Sequence, residues 1–249
     1  MSQAVHRAIV QYDVARSRDG WEISEETIPE SVLHDEAVEL LKALLAAWAA
    51  RAGGSARVVR NLAVRWDEAN PRIGVDPDVC VLSPSPPDAQ DLRSVHTWLP
   101  EHAAPALAVE VVSETNPHKD YSLAPEKYAA SAVGELWIFD PLRCGPRSHG
   151  GPFRIQVWSR TPDETFVRLY AGEGPAFSPT LGAWLVASDE GRKLRIAADE
   201  AATAFWLTSE ESERAAKETE RAAKDTERAA KEQALARVAE LEAELARRR

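Results

Sequence analysis

Two acidic residues stand beside short apolar runs in this 249-residue chain, and they are the first candidates for chemistry. Asp78 directly precedes the apolar run Val79 to Leu82, and Glu110 interrupts the apolar run Leu107 to Val112. A lone carboxylate inside a buried strand costs free energy unless it is paired or coordinated. If the two runs are neighbouring strands, their carboxylates form an oxygen-rich pocket suited to Mg²⁺ or Mn²⁺. Such a cation can activate water and stabilise charge that develops on a phosphodiester.

The same two residues also have ordinary structural explanations. Asp78 follows Pro77 and could cap a turn, and Glu110 could form an ion pair with a buried arginine. Structural ion pairs place charges inside proteins without any function. The pair alone therefore leaves a metal site and a structural role open.

The elements that must position the carboxylates lie between Ala106 and Asp140. The runs 107–112 and 136–139 are short and rich in β-branched or aromatic residues, which predicts two buried strands. The stretch between them is typical of a helix that ends at Tyr128. This arrangement predicts two buried strands joined by a helical segment.

The flanking regions add further elements. Apolar residues at helical spacing predict a helix over 31–51, with Ser31 as its N-cap and Gly53-Gly54 beyond its end. A short strand is predicted around Trp21 and Ile23, and Lys193 and Arg195 are interpreted as solvated surface. The remaining predictions are a strand or hairpin arm over 56–66, an irregular segment with a short helix over 94–105, an antiparallel hairpin of 153–159 with 166–170, and a loop with a strand or short helix over 175–186.

The C-terminal segment has a different character. Three heptads that begin at Glu213, Glu220 and Glu227 share the residues ERAAK, without Gly or Pro, and run on to the end of the chain. This composition predicts a continuous helix with favourable i,i+4 pairs such as Glu213 with Lys217. A heptad repeat indicates a coiled coil, but alanine in the seam buries little surface. A solvated single helix and a dimerising helix both remain open.

Composition limits the classes of partner and compartment. The net charge of −10 argues against broad electrostatic adhesion to nucleic acid or to anionic membranes. Cys80 and Cys144 fit no metal spacing or disulfide framework, and we see neither a signal peptide nor a run long enough to span a bilayer. We therefore expect a cytoplasmic protein without a membrane partner. A Gly-rich phosphate loop is also missing from the sequence.

A larger set of residues is specific in its order and spacing. The set consists of Pro77-Asp78, Val109 to Ser113, Asp120, Tyr128, Val133, Glu135 and Trp137 to Pro141. Over roughly residues 20–190 the chain resembles the Uma2 family of restriction-endonuclease-like proteins, within the PD-(D/E)XK nuclease superfamily. The resemblance implies an α/β (α+β) fold with a restriction-endonuclease-like mixed sheet flanked by helices. It also implies a divalent metal and phosphodiester hydrolysis.

The resemblance also assigns residues by position. Asp78 and Glu110 would ligate the metal, Mg²⁺ or Mn²⁺. The lysine that the family carries midway between Asp120 and Tyr128 is replaced here by Ala124. Lys127 lies one helical turn further on and is the first candidate for its catalytic role, with Lys119 as a weaker one. Such a lysine would position the attacking water and offset negative charge in the transition state.

Other residues near the motif receive structural interpretations. We expect Asp120 to cap the helix that carries Tyr128, in preference to a metal role, and Tyr128 and Trp137 to belong to the core. His34 resembles a histidine that recurs in the family and is expected to pack near the site. Two acidic residues of the same helix, Glu36 and Glu39, are candidates to complete a coordination shell.

Two hypotheses of different classes follow. The first is a metal-dependent endonuclease, with residues 1–207 as a Uma2-like PD-(D/E)XK domain that acts on nucleic acid, with DNA as the expected substrate, and residues 208–249 as a helical or coiled-coil tail. The second is an inactive nuclease-like module that uses its tail for binding or assembly, motivated by Ala124 and the acidic charge. A homodimer through the fold or the C-terminal helix is compatible with both. The sequence does not give the target, its base preference or the oligomeric state.

Overall fold

The computed structural model describes residues 17–18, 20–23, 31–87, 92–147 and 150–248. Two runs of strands make up most of this part of the chain, with α-helices before, between and after them. The helices are α1 (Val32–Arg51), α2 (Ala124–Ala130) and α3 (Ser209–Arg248), and a π-helical segment (Lys119–Leu123) leads into α2. The strands are β1 (Arg57–Val59), β2 (Ala63–Arg65), β3 (Val79–Leu82), β4 (Ser94–His96), β5 (Leu107–Val111), β6 (Glu135–Phe139), β7 (Ile155–Arg160), β8 (Phe166–Gly172), β9 (Ala176–Ser178), β10 (Ala183–Ser188) and β11 (Lys193–Ala197).

The main sheet has six strands in the order β1-β3-β5-β6-β7-β8. Strands β5 and β6 are parallel, and every other neighbouring pair in this sheet is antiparallel. A parallel pair requires a crossover connection, and here the crossover contains the π-helical segment and α2. Two smaller sheets, β11-β10-β9 and the parallel pair β2-β4, complete the strands. The expected mixed sheet flanked by helices is confirmed.

Alternation along β5 sends its side chains into two different cores. Leu107, Val109 and Val111 belong to the apolar cluster that includes the buried face of α1. Ala108 belongs to the cluster that includes Tyr128 of α2. Because side chains on a strand alternate between faces, Glu110 lies on the α2 side. The sheet therefore presents a carboxylate to a helix-covered core.

Two predicted elements are confirmed closely. The helix over 31–51 is α1, and the hydroxyl of its N-cap Ser31 accepts a hydrogen bond from the His34 N–H at 3.2 Å. The predicted hairpin of 153–159 with 166–170 is β7 paired antiparallel with β8. Both patterns had a strong hydrophobic period, which is the most reliable local signal.

The segment 56–66 differs from its prediction as one strand or hairpin arm. It contains β1, which pairs with β3, and β2, which pairs with β4 in another sheet. Between them Asn61 has a φ of 48°, a left-handed conformation that asparagine tolerates better than most residues. The chain turns there and leaves the main sheet.

Three other predictions are corrected. The irregular segment over 94–105 begins with strand β4. Lys193 is exposed, as expected, and Arg195 is partly buried, but both belong to strand β11, whose Leu194 and Ile196 are fully buried. The strand expected around Trp21 and Ile23 is reduced, within the described residues, to one bridge between Glu22 and Ile73. The region 175–186 contains β9 and the start of β10.

The chain divides into two units, of which the first ends at Trp206 and the second begins at Leu207. The second unit is α3, a helix of 40 residues, in agreement with the predicted C-terminal helix. Thr208 and Glu211 form a reciprocal capping box at its start, with hydrogen bonds of 2.8 and 3.1 Å. Among the residues described, no helix is long and apolar enough to cross a membrane.

Candidate metal centre

The register of the sheet brings the two predicted carboxylates together. Val79 of β3 lies opposite Val109 of β5, so Asp78 comes beside Glu110 at the same point of the sheet. The backbone N–H of Val111 donates to Asp78 Oδ2 at 2.7 Å. This hydrogen bond fixes the Asp78 carboxylate against β5, and it confirms that the two strands are neighbours.

Glu110 is enclosed in the core. It is only 1% exposed, and the Tyr128 hydroxyl donates to its Oε1 at 2.6 Å. Burial raises the pKa of Glu110 to about 7, the positive charge of Lys119 opposes this rise, and the negative charge of Asp78 adds to it. The hydrogen-bond partner of Glu110 is thus a tyrosine. The contacts do not show the alternative, an ion pair with a buried arginine.

Tyr128 has a role that the sequence did not predict. It is fully buried, as expected of a core residue, but its hydroxyl also donates a hydrogen bond to Glu110. Burial and the neighbouring Glu110 raise the pKa of Tyr128 well above its usual value. The hydroxyl therefore stays protonated and holds one oxygen of Glu110 in a fixed orientation.

Helix α1 supplies a histidine to the same place. His34 Nε2 lies 3.3 Å from Asp78 Oδ2, and the side chain is buried. The expectation that His34 packs beside the site is confirmed. Glu36 and Glu39 of the same helix are exposed, and Glu39 forms an ion pair with Arg60. The expectation that one of these two completes a coordination shell is therefore not supported by their placement.

Asp120 is placed differently from the prediction. The cap position before the π-helical segment is His118, and Asp120 lies one residue inside the segment. Its side chain is buried, with the residue 3% exposed, and Lys119 Nζ lies 3.7 Å from its Oδ1. The prediction that Asp120 caps the helix is wrong, because the helical turn begins one residue earlier and turns this carboxylate into the protein.

A cavity of about 60 Å³ joins several of these groups. Its lining includes His34, Asp78, Ser113, Lys119 and Asp120. One water molecule takes about 30 Å³ in the liquid, so the space corresponds to about two water molecules, enough for a small cation with part of its hydration shell. Burial raises the pKa of Asp120 strongly, and the negative charges of Glu110 and then Asp78 raise it further. A cation in the cavity would therefore favour the ionised form of these carboxylates.

The two candidate lysines differ in position. Lys119 lines the cavity, whereas the amine of Lys127 lies 3.5 Å from the backbone oxygen of Gly74. Burial lowers the pKa of Lys127, the positive charge of Lys119 lowers it further, and Glu110 acts in the opposite direction. Lys127 thus interacts electrostatically with Glu110, but Lys119 lines the same cavity as Asp78. Ala124, at the family's lysine position, is 2% exposed and packs in the same apolar cluster as Tyr128.

Asp76 is a further acidic residue that the sequence reading missed. Burial by the surrounding protein raises its pKa although part of the residue is exposed, and Arg65, Lys119 and Lys127 oppose this rise. Asp76 also contributes to the raised pKa of Glu110. Its spacing from Asp78 was the available signal, because residues two apart in an extended segment share a face.

The donor set fits a hard divalent cation. Carboxylate oxygens are the ligands that Mg²⁺ prefers, and Mg²⁺ in proteins keeps several waters and uses one or two carboxylates. In the part of the chain that the structure describes, no three His, Cys, Asp or Glu side chains form a ready ligand set. The arrangement therefore matches a partly hydrated cation better than a closed structural metal site.

Comparisons with known proteins identify a sequence family for this chain. Residues 16–147, which are more than half of the chain, match the sequence model of the family Uma2, described as "Putative restriction endonuclease". A solved structure described as a "putative nuclease belonging to DUF820" from Anabaena variabilis ATCC 29413 is 13% identical, with a TM-score of 0.41, over 64% of this chain and 81% of that one. No curated protein matches the sequence.

Proposed function

Since the chain belongs to the Uma2 family, whose description is "Putative restriction endonuclease", we propose that it is a divalent-cation-dependent endonuclease that hydrolyses phosphodiester bonds in DNA. The observation that carries this proposal is the pairing of Asp78 with Glu110 across β3 and β5. Two carboxylates beside a small polar cavity match what cation-assisted hydrolysis requires. The cation would be Mg²⁺ or Mn²⁺.

Each residue of the proposed site has a distinct task. Asp78 and Glu110 would hold the cation, which when bound supplies an activated water and neutralises charge on the phosphate. The Val111 N–H and His34 orient Asp78, and Tyr128 orients Glu110. Fixed partners of this kind keep ligands in a productive geometry before the substrate arrives.

A lysine near the cation would bind the negatively charged scissile phosphate. Lys127 was the first candidate from the sequence, and it remains within electrostatic reach of Glu110. Lys119 lines the cavity with Asp78, so it is the stronger candidate. Both lie outside position 124, where the family pattern places its lysine.

The test is cleavage of supercoiled plasmid with Mg²⁺ or Mn²⁺. We expect nicking by the wild type, loss of nicking in Asp78→Asn, and a fall of at least about 100-fold in Lys119→Ala, the range found when one transition-state contact is removed. Lys127→Ala should have a smaller effect. Glu68→Gln, an exposed acidic residue, serves as the matched control and should cleave normally.

The same assay separates this function from the inactive binding module. Silence from the wild type but nicking by Ala124→Lys would mean that the scaffold is intact and disabled at one position. If neither the wild type nor Ala124→Lys cleaves plasmid or single-stranded DNA, the endonuclease proposal is contradicted and a module that binds without cleaving is favoured.

A further inference from the structure

Asp120 is a buried carboxylate whose local contacts do not account for its burial. It is 3% exposed, and its Oδ1 has no hydrogen-bond partner in the described part of the chain. This oxygen forms an ion pair with Lys119, whose Nζ lies 3.7 Å away, beyond hydrogen-bond distance. A buried carboxylate without good hydrogen bonds is costly.

The ion pair with Lys119 does not offset this cost. The Lys119 side chain is 53% exposed, and ion pairs with a solvated partner contribute little to stability. If the role of Asp120 were structural, a shorter contact with a buried donor would be expected. In this pair the Lys119 side chain is solvated, whereas the Asp120 side chain is buried.

The position of Asp120 points to a different role. It lines the same cavity as Asp78, together with Ser113, Thr115 and Asn116. It also lies at the start of a π-helical segment, in which the N–H of Ala124 bonds to the carbonyl of Lys119 five residues earlier. Such wide turns are frequent at functional sites. The unsatisfied oxygen is thus placed beside the proposed cation ligand by an unusual backbone.

We propose that Asp120 holds the hydrated divalent cation through one of the cation's own water molecules, in the cavity that it lines together with Asp78. This inference depends on the proposed function, because it assumes that the cavity holds a divalent cation. The chemistry is consistent, since Mg²⁺ keeps several waters when it binds to a protein, and the Oδ1 atom of Asp120, which lacks a hydrogen bond within the described residues, can accept one from such a water. Lys119 then lies beside the hydrated cation and can contact the phosphate.

The test is Mn²⁺ binding to the full chain by calorimetry and by electron paramagnetic resonance, without any substrate. We expect Asp120→Asn and Asp78→Asn each to weaken Mn²⁺ binding by at least about tenfold, and Glu68→Gln to bind as the wild type does. Lys119→Met should bind Mn²⁺ as well as the wild type or better, because a competing positive charge is removed.

Thermal unfolding without metal tells a cation-binding residue from a structural one. If Asp120 binds the hydrated cation, Asp120→Asn removes a poorly solvated carboxylate, so the melting temperature without metal stays equal or rises. A lowered melting temperature together with unchanged Mn²⁺ affinity would overturn the inference in favour of a structural role. If Asp120→Asn does not fold, unchanged Mn²⁺ affinity in Asp120→Ser would overturn it instead.

The outcomes also separate this inference from the proposed function. Wild-type affinity in Asp120→Asn, with loss of binding in Asp78→Asn, overturns the role of Asp120 and leaves the cation site in place. Wild-type affinity in both variants, or no Mn²⁺ binding by the wild type, overturns the cation site and the role of Asp120 together.

Discussion

At the scale of single residues, the site depends on how one buried carboxylate is stabilised. Glu110 lies in the middle of a buried strand, and Tyr128 donates to it at 2.6 Å. A hydrogen bond to an ionised group contributes about 1.5–3 kcal/mol, less than the cost of burying an isolated carboxylate. The remaining cost appears as the raised pKa of Glu110, about 7. The ionisation of Glu110 therefore makes the stability of the fold depend on pH.

The first prediction concerns that linkage. Because the pKa of Glu110 is raised from 4.5 to about 7 on folding, the metal-free folded state holds this proton more tightly than the unfolded state. The stabilisation of the folded state by protonated Glu110 is fully present below pH 4.5 and is lost as the pH rises through about 7. Between pH 4.5 and 8 the wild type should lose up to about 3 kcal/mol of unfolding free energy relative to Glu110→Gln.

Urea denaturation with a metal chelator, at several pH values between 4.5 and 8, measures this difference. The comparison with Glu110→Gln removes the contributions of other carboxylates, including Asp120, whose pKa is also raised. Unfolding free energies of the two proteins that run parallel over this pH range would contradict the assignment of the linkage to Glu110.

At the scale of elements, the position of α2 is set by a residue from the sheet. Arg160, at the end of β7, donates to the backbone oxygens of Ala129 at 2.8 Å and Tyr128 at 3.3 Å. It also donates to the Val133 oxygen at 3.2 Å. The last carbonyls of a helix need such partners. Arg160 therefore holds the end of the helix that carries Tyr128 and Lys127.

The second prediction follows from this anchor. Arg160→Lys keeps the charge but loses the planar fork of donors, so it should lower the unfolding free energy by roughly 1–3 kcal/mol. Plasmid cleavage should fall as well, because Tyr128 moves with α2. Chemical denaturation and the nicking assay measure the two effects.

The matched control is Arg143→Lys. Arg143 pairs with Glu173 at 3.0 Å, and both side chains are close to half exposed. Exposed pairs contribute about 0–1 kcal/mol, so stability and cleavage should stay near the wild-type values. An equal effect of the two substitutions would mean that Arg160 does not anchor α2.

The elements were predictable where hydrophobic periods are long or where strands are fully buried. The runs at 79–82 and 107–112 predicted β3 and β5, and their pairing placed Asp78 beside Glu110. The alternation of Leu194 and Ile196 with charged residues does not by itself identify strand β11, because Lys193 and Arg195 are equally typical of solvated surface. Strand β4, three residues long, is too short for its period to be recognised.

The corrected details of the site depend on backbone geometry that local sequence does not encode. The stretch before α2 looked like an ordinary helix start, for which an aspartate is the usual cap. The helical segment begins at Lys119, before the expected cap, so Asp120 lies inside it. The contact between Tyr128 and Glu110 joins residues 18 positions apart, and no local period predicts such a contact.

At the scale of the whole molecule, the acidic charge is unevenly placed. Residues 207–249 contain ten Lys or Arg and eleven Asp or Glu, so nearly all of the net charge of −10 belongs to the residues before them. DNA binding by the first unit would have to use a local group of cations such as Lys119 and Lys127. Association with a polyanion should then be weak and should depend strongly on cation concentration.

The third prediction concerns α3. Its Leu235, Val238, Leu241 and Leu245 are exposed and recur at spacings of three and four, which places Val238, Leu241 and Leu245 on one face. Ala216, Ala223 and Ala230 continue this face at seven-residue intervals. A helix with an apolar stripe of this kind pairs with a second copy when the large residues interlock. We expect the full chain to form a dimer through this face.

Light scattering after gel filtration, at several protein concentrations, measures the association. Leu241→Glu combined with Leu245→Glu should convert the dimer to a monomer, because two charges enter each side of the apolar seam. Ala236→Glu combined with Ala243→Glu adds the same charge on the opposite face of the helix and should leave the dimer intact. Since alanine buries little surface, the dimer should dissociate at low concentration. A monomer at all concentrations would mean that α3 is a solvated helix, held by pairs such as Glu220 with Lys224 at 2.6 Å.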